Sequence, residues 1–336
     1  MAEQLRLGIV GCGDFLRVMA GDLAKSKEVR VTALYDPLGE RAAKWAAQLG
    51  GVVAPSAEAI LADPAVDVVC LFVPPWARRD LLVAAAQAGK AILTTKPLAA
   101  TLEDCQAMAD AVAAAGVRCG VLYGRTGNAW VETLKTLLEG GELGRLALYR
   151  QDWLHHYPQW NNWATDRIRN GGPFMDAMVH NLNIARYLMG RPATGCTYFS
   201  ENFVQHLNCN DTEFLKLNFD RGAAHLFITW AADLAAPDTS GNFREHIDIT
   251  YLITDRGWHL TQVWQDGKAA IRATREGEVR LLPLEPFAGT VFDRAAAGIT
   301  GRGPWPRDLP VIDEAMEDIR ILKRSEAANG RPIQLD

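Results

Sequence analysis

Two groups of residues have the types and spacing needed for proton and hydride chemistry. Asp176 and His180 lie four positions apart in GGPFMDAMVHNLNIARYLMG, and on a helix that spacing puts both on one face. Asn183 adds a third polar group to the stripe. Gly171 and Gly172, just ahead, allow close approach of a ligand or another segment. An imidazole has a suitable intrinsic pKa to take the hydroxyl proton as hydride leaves an alcohol carbon. Asp176 would orient it or hold a substrate hydroxyl. Such a pair can also be structural, but a polar stripe among Met175, Val179, Leu182, Ala185 and Leu188 needs partners. The second group is Lys96 and Pro97, directly behind the apolar run AILTT. Lys96 is either a surface charge before a turn or an ammonium that stabilises negative charge developing on the same oxygen.

Hydride chemistry needs an acceptor, and the N-terminus suggests one. GIVGCGDFLR places Gly11 and Gly13 directly after an apolar run, with Asp14, Phe15 and Leu16 opening the next element. Gly11 permits a tight turn and Gly13 lets backbone approach a pyrophosphate, which then meets a helix N-terminus. Leu16 stands where the usual pattern has a third glycine. Asp36 ends the next strand, 23 residues beyond Gly13. A carboxylate there accepts bonds from the ribose hydroxyls and repels a 2′-phosphate, which favours NAD over NADP. Arg41 could offset that repulsion if it points inward. The plainer reading is two turns and no ligand.

These groups need elements to hold them. In the first third, apolar runs alternate with amphipathic stretches: LRLGIV, VRVTALYD, VDVVCLFVP, AILTT and VRCGVLYG read as strands. Val18 to Ser26, GERAAKWAAQLG, Ala57 to Ala62, ARRDLLVAAAQAG and LEDCQAMADAVAAAG read as helices, the last N-capped by Thr101. This rhythm predicts a parallel sheet covered on both faces. Beyond Tyr123, longer strands flank DRG, a second DRG and REG, a hairpin signature. The predicted class is α/β: an N-terminal Rossmann dinucleotide-binding domain (1–122), then an α+β domain with a largely antiparallel open sheet (123–310). A C-terminal helix and tail (311–336) would pack back on the first domain. The 336 residues carry a formal charge of −5 with acids and bases mixed, which predicts no nucleic-acid footprint. No apolar run is long enough for a membrane span, and the N-terminus reads as a strand, not a signal peptide. The six scattered cysteines read as buried, reduced thiols of a cytoplasmic protein.

Together these motifs resemble the glucose-fructose oxidoreductase/inositol dehydrogenase/MocA (Gfo/Idh/MocA) family across nearly the whole chain. The family's Glu-Lys-Pro signature matches Thr95, Lys96 and Pro97. Its glycine-cluster, Asp, three residues, His signature matches Gly171, Gly172, Asp176 and His180. The resemblance implies that Lys96, Asp176 and His180 form the catalytic group, and that the substrate is a sugar, polyol or related compound used with NAD or NADP. It also implies a cis bond before Pro97 and assembly as a homodimer or homotetramer through an open sheet. Three departures stand out. Thr95 replaces Glu. Val73, Pro74, Pro75, Trp76, Ala77 and Arg78 replace a Thr-Pro-Asn-x-x-His segment, leaving Val73, Pro74 and Trp76 as cofactor-side candidates. Asn183 replaces an Asp. The altered set suggests a changed nicotinamide and substrate environment.

YRQDWLHHYPQWNNWATDRIRNGG, ahead of the Asp–His helix, is rich in groups that contact sugars. Trp153, Tyr157, Trp160 and Trp163 offer faces for C–H stacking, and His155, His156, Asn161, Asn162, Asp166, Arg167 and Arg169 offer polar contacts. Individual tryptophans could equally pack the domain junction. The substrate-side candidates are Lys96, Arg125, Trp153, His155, Tyr157, Trp163, Arg167, Asp176 and position 177. No metal centre is predicted, since adjacent histidines point apart on a strand and no acidic cluster completes a ligand set. The leading function is an NAD-dependent dehydrogenase of small-molecule carbohydrate or polyol CH–OH groups. Two rivals stand beside it: an enzyme with tightly bound NAD whose transient oxidation permits elimination, hydrolysis or epimerisation, and a non-enzymatic NAD- or sugar-binding regulator.

Overall fold

The computed structural model describes residues 4–156, 163–232, 236–237, 243–244 and 246–335. They fall into two compact units. The first comprises the chain up to Gly127 together with Phe287–Glu317, and the second comprises Asn128–Pro286 together with Asp318–Asp336. The division differs from the expected 123–310 and 311–336: residues 287–310 join the first unit, and the last helix spans the division.

In the first unit, β1 (Leu5–Val10), α1 (Asp14–Lys25), β2 (Val29–Tyr35), α2 (Gly39–Leu49), β3 (Val52–Val53) and α3 (Ala57–Ala62) are followed by β4 (Val68–Leu71), α4 (Arg79–Gln87), β5 (Ala91–Thr95), α5 (Leu102–Ala115) and β6 (Cys119–Leu122). The six strands run parallel in the order β3-β2-β1-β4-β5-β6. This is the Rossmann order, and it reverses direction between β1 and β4, where such sheets bind ligands. VVCL and AILTT are continuous apolar runs because β4 and β5 are buried on both faces. The first helix begins at Asp14, directly behind Gly13, four residues earlier than Val18. Thr101 caps α5 as expected, accepting from the Asp104 N–H at 3.1 Å.

In the second unit, α6 (Ala129–Glu139), β7 (Leu146–His155), a π-helical turn (Phe174–Met178), α7 (Val179–Met189) and β8 (Ala193–Glu201) precede β9 (Thr212–Phe219) and β10 (Gly222–Thr229). Next come β11 (Ala236–Pro237), β12 (Phe243–Arg244), β13 (His246–Thr254), β14 (His259–Gln265), β15 (Lys268–Arg275) and β16 (Glu278–Pro283). The chain then forms α8 (Val291–Ile299) in the first unit, α9 (Ile312–Ala327) across the division, and β17 (Ile333–Gln334) in the second. Nine strands form an open sheet ordered β16-β15-β14-β13-β7-β10-β9-β8-β17. The hairpins at DRG, DRG and REG form as predicted. The sheet is antiparallel except where β7 runs parallel to β10. α8 completes the first unit's core, with Val291, Phe292, Ala295 and Ala296 packed among Leu7, Ile9, Leu16 and Leu34. All six cysteines are buried free thiols. Among the described residues no helix is long and apolar enough to cross a membrane.

Candidate active site

The glycine turn is held from several sides. Gly11 has φ +94°, and a Cβ there would stand 2.5 Å from the Phe72 carbonyl oxygen, so only glycine fits. Its N–H donates to the Tyr35 carbonyl at 2.8 Å. The next N–H, of Cys12, donates to Asp36 Oδ2 at 2.8 Å, and the Leu38 N–H donates to Asp36 Oδ1 at 2.9 Å. Asp36 is buried and welds the turn to the end of β2. Each carboxylate oxygen still has capacity for a further donor. Burial, with Asp36 second, pushes the Cys12 thiol up to about 12, so it stays neutral. Gly13 ends the turn as the N-cap of α1 with no side chain closing the helix end. A Cβ at Gly13 would meet only Arg41 Nη1, at 3.9 Å. An open glycine, free helix N–H groups and a neighbouring guanidinium suit a pyrophosphate.

The candidates around this turn divide. Asp14 is exposed beside Arg17. Phe15 packs edge-on against Phe72, with ring centroids 5.0 Å apart, and Leu16 is fully buried. Both side chains therefore serve the core, so a cofactor contact from either residue would run through its backbone N–H at the start of α1. Val73 and Pro74 are half-buried after β4, and Trp76 is 43 % exposed on a 3-10 turn, Pro75–Ala77. Lys96 is half-buried, its backbone N–H donates to the Leu122 carbonyl at 3.3 Å, and the Lys96–Pro97 bond is cis. Arg125 is buried against Glu314, with Nη2 2.7 Å from Oε2. That internal ion pair engages the guanidinium within the first unit.

In the second unit, Gly171 and Gly172 have φ +89° and +97°, so the chain enters the next helix through left-handed backbone. That helix opens with the π turn Phe174–Met178, which carries Asp176, and passes into α7, which carries His180. π turns inside helices are frequent at functional sites. Asn170, fully buried, donates through Nδ2 to Asp176 Oδ1 and to the Ala164 carbonyl, each at 2.9 Å. Beneath the turn lies Glu213, which accepts from the Phe174 N–H (2.5 Å), Tyr198 OH (2.7 Å) and Ser200 Oγ (3.1 Å). Burial pushes its carboxyl up to about 7 despite those bonds.

The aromatic segment is partly as expected. Trp153 and His155 stack on β7, centroids 4.9 Å apart, and His155 Nε2 lies 3.5 Å from Asp248 Oδ1. Trp163 is half-buried. Asp166 accepts from the Ile168 and Arg169 N–H groups, and Arg167 pairs with Glu326 at 2.6 Å, so both are engaged within their own unit. Position 177 is an alanine, Ala177, and brings no polar group. Tyr157, Trp160, Asn161 and Asn162 lie outside the described residues.

Comparison with known proteins decides the kinship. The Gfo/Idh/MocA model for an oxidoreductase family with an NAD-binding Rossmann fold matches residues 5–123, and a Gfo/Idh/MocA C-terminal domain matches residues 131–244. The chain belongs to the Gfo/Idh/MocA family. Its first unit is an NAD-binding Rossmann domain, and the protein is an NAD-dependent oxidoreductase. It is 27 % identical to the scyllo-inositol 2-dehydrogenase (NAD(+)) of Bacillus subtilis, covering all of this chain and 98 % of that protein. It is 26 % identical to the myo-inositol 2-dehydrogenase of Thermotoga maritima over 65 % of this chain and 66 % of that one. In fold it is similar to the aldose-aldose oxidoreductase of Caulobacter crescentus, with a TM-score of 0.83, 22 % identity and coverage of 99 % and 100 %.

The departures from the Gfo/Idh/MocA pattern have physical settings. Thr95, at the Glu position, is buried, and its hydroxyl lies 3.5 Å from the Leu122 carbonyl across the β5–β6 pair. Asn183 is buried and donates through Nδ2 to Asp318 Oδ2 at 2.7 Å, while Arg186 pairs with the same carboxylate. An Asp at 183 would repel Asp318, so this position ties α7 to α9 and does not extend the Asp176–His180 stripe. Asn170 and Glu213 escaped the sequence reading. Asn170 directly precedes the glycine pair, a position that could have drawn notice; Glu213 sits alone at the start of an ordinary strand pattern.

Proposed function

We propose that the protein oxidises a secondary alcohol of a sugar, cyclitol or sugar acid, with His180 as general acid/base and Lys96 polarising the oxygen. The observation that carries this reading is the Asp176–Asn170 bond at the start of the catalytic helix. A buried amide that donates to a carboxylate fixes its orientation, as required of a group that holds a substrate hydroxyl or steadies a neighbouring imidazole. NAD, when bound, would supply the hydride acceptor; the glycine turn and the N-terminus of α1 would hold its pyrophosphate and the Asp36 carboxylate its adenosine ribose hydroxyls. His180 takes the hydroxyl proton while the Lys96 ammonium offsets charge growing on the oxygen. The stacked Trp153 and His155 rings suit the C–H face of a polyol.

The relatives named above are inositol and aldose enzymes, which supports a sugar or cyclitol substrate. Assembly as a homodimer or homotetramer and a cytoplasmic location belong to the same proposal; the six buried thiols suit a reducing compartment. The test is a panel of sugars, cyclitols and sugar acids incubated with NAD, scored by NADH formed. Stoichiometric NADH is expected, whereas turnover without net NADH would indicate transient oxidation. His180→Ala should keep NAD affinity and lose roughly 10²- to 10⁴-fold in turnover. Unchanged turnover would remove His180 from its role.

A further inference from the structure

Arg78 is 1 % exposed yet carries a guanidinium. Its Nη1 donates to the Pro97 carbonyl and, at 2.9 Å, to the Leu98 carbonyl, and its Nη2 donates to the Val73 carbonyl at 2.6 Å. Among the described residues every hydrogen bond of this group ends on a backbone carbonyl, no carboxylate pairs with it, and Nε has no partner. The titratable groups around it are Cys105, Cys119 and Tyr123, with no carboxylate among them. Burial draws the guanidinium down to about 10. A buried cation solvated by dipoles alone is costly, and an apolar side chain of similar volume would avoid that cost.

What the guanidinium supplies is geometry. Its three acceptors belong to two loops that leave neighbouring parallel strands, β4 and β5. One loop carries Val73 and Pro74, directly after Phe72, whose carbonyl abuts Gly11. The other carries Lys96. Pro97 has no N–H to anchor it, so its carbonyl is the available handle. The Lys96 N–H is held by Leu122 on one side, and Arg78 holds the next two carbonyls on the other. A planar fork with two Nη groups reaches both loops at once, which a lysine ammonium cannot do in the same geometry.

We infer that Arg78 is a positioning residue that fixes the backbone of Pro97 and Leu98 and thereby aims the Lys96 amine. The inference rests on the role proposed for Lys96. The test is a double-mutant cycle on the full chain, with NAD and a substrate that yields NADH in the panel. Arg78→Lys should lower kcat by roughly tenfold to a hundredfold with NAD affinity little changed, since misplacement by about 1 Å costs on that order. Arg78→Lys combined with Lys96→Met should be no slower than Lys96→Met alone, because the aimed group is gone. Should Arg78→Lys fail to fold, Arg78→Gln keeps two N–H donors without the buried charge, and the same non-additivity is expected. A normal kcat in a folded Arg78 variant, or additive losses in the double variant, would overturn the inference alone. Full turnover in Lys96→Met would overturn the role of Lys96 and the inference with it.

Discussion

Asn170 shows how little freedom the candidate catalytic carboxylate has. Its amide nitrogen is shared between Asp176 Oδ1 and the Ala164 carbonyl, so the donor is itself oriented before it orients Asp176. Asn170→Ala removes a bond to a charged group, worth about 1.5–3 kcal/mol, and should lower kcat roughly tenfold or more. NAD titration and steady-state kinetics check this, with affinity for NAD expected to stay unchanged. An equal loss of NAD affinity would mean that Asn170 shapes the fold instead. Thr95 illustrates the same local logic. The hydroxyl is neutral and fits a buried place beside the Leu122 carbonyl without a counter-charge, where an ionised carboxylate would face a carbonyl oxygen.

The entry to the helix that carries Asp176 and His180 is an element built around one acid. Gly172 sits close above Glu213, with a built Cβ 3.4 Å from Oε1, and the Phe174 N–H that opens the π turn donates to the same carboxylate. The unfolded chain releases this proton near the ordinary 4.5, while burial holds the folded value at about 7. Between those values the folded protein keeps a proton that the unfolded chain has lost, so Glu213's contribution to stability falls as pH rises through the window. Glu213→Gln keeps a hydrogen-bonding head and removes the titration. Its thermal midpoint should therefore gain on the wild type between about pH 5 and about pH 8. Parallel curves for the two proteins would refute the linkage. Glu213 was not legible in the sequence: alternation in EFLKLNF puts it on the face of Leu215, Leu217 and Phe219, but nothing local announces the distant donors Phe174 and Tyr198 that let an acid sit there. Elements with local signals were legible: the run of β1, the N-cap of α5 and the glycine hairpins. Elements defined by distant partners were not. β7 pairs with β10 and β13 far along the chain, and its residues LALYRQDWLH alternate too weakly to announce a central strand. The partners of Arg125 and Asn183 were illegible for the same reason, since Glu314 and Asp318 lie more than a hundred residues away.

At the scale of the whole molecule, both units are discontinuous in sequence. The second unit takes Asp318 from α9 as the fully buried acceptor for Asn183 and the partner of Arg186, and its sheet gains β17 on the edge of β8. Asp318→Ala leaves both donors without that acceptor and should cost about 3–5 kcal/mol, as broken buried pairs do. Urea unfolding should show a correspondingly lower midpoint, and an unchanged midpoint would contradict the assignment. The first unit depends equally on residues from the C-terminal part of the chain. Asp293 of α8 accepts from Ser26 Oγ at 2.6 Å and the Lys27 N–H at 2.9 Å, Gly120 bridges to Val311, and Phe292 fills the core beside β1 and β2. Residue 287 is translated 160 residues after residue 127, an interval of roughly 10–30 s at synthesis rates of about 5–20 residues per second. Throughout it, the nascent NAD-binding unit has all its strands but lacks the helix that closes its core. Its apolar side stays open to chaperones and proteases until α8 is made, and a gene cut after residue 127 would encode a fragment with no means of sealing itself.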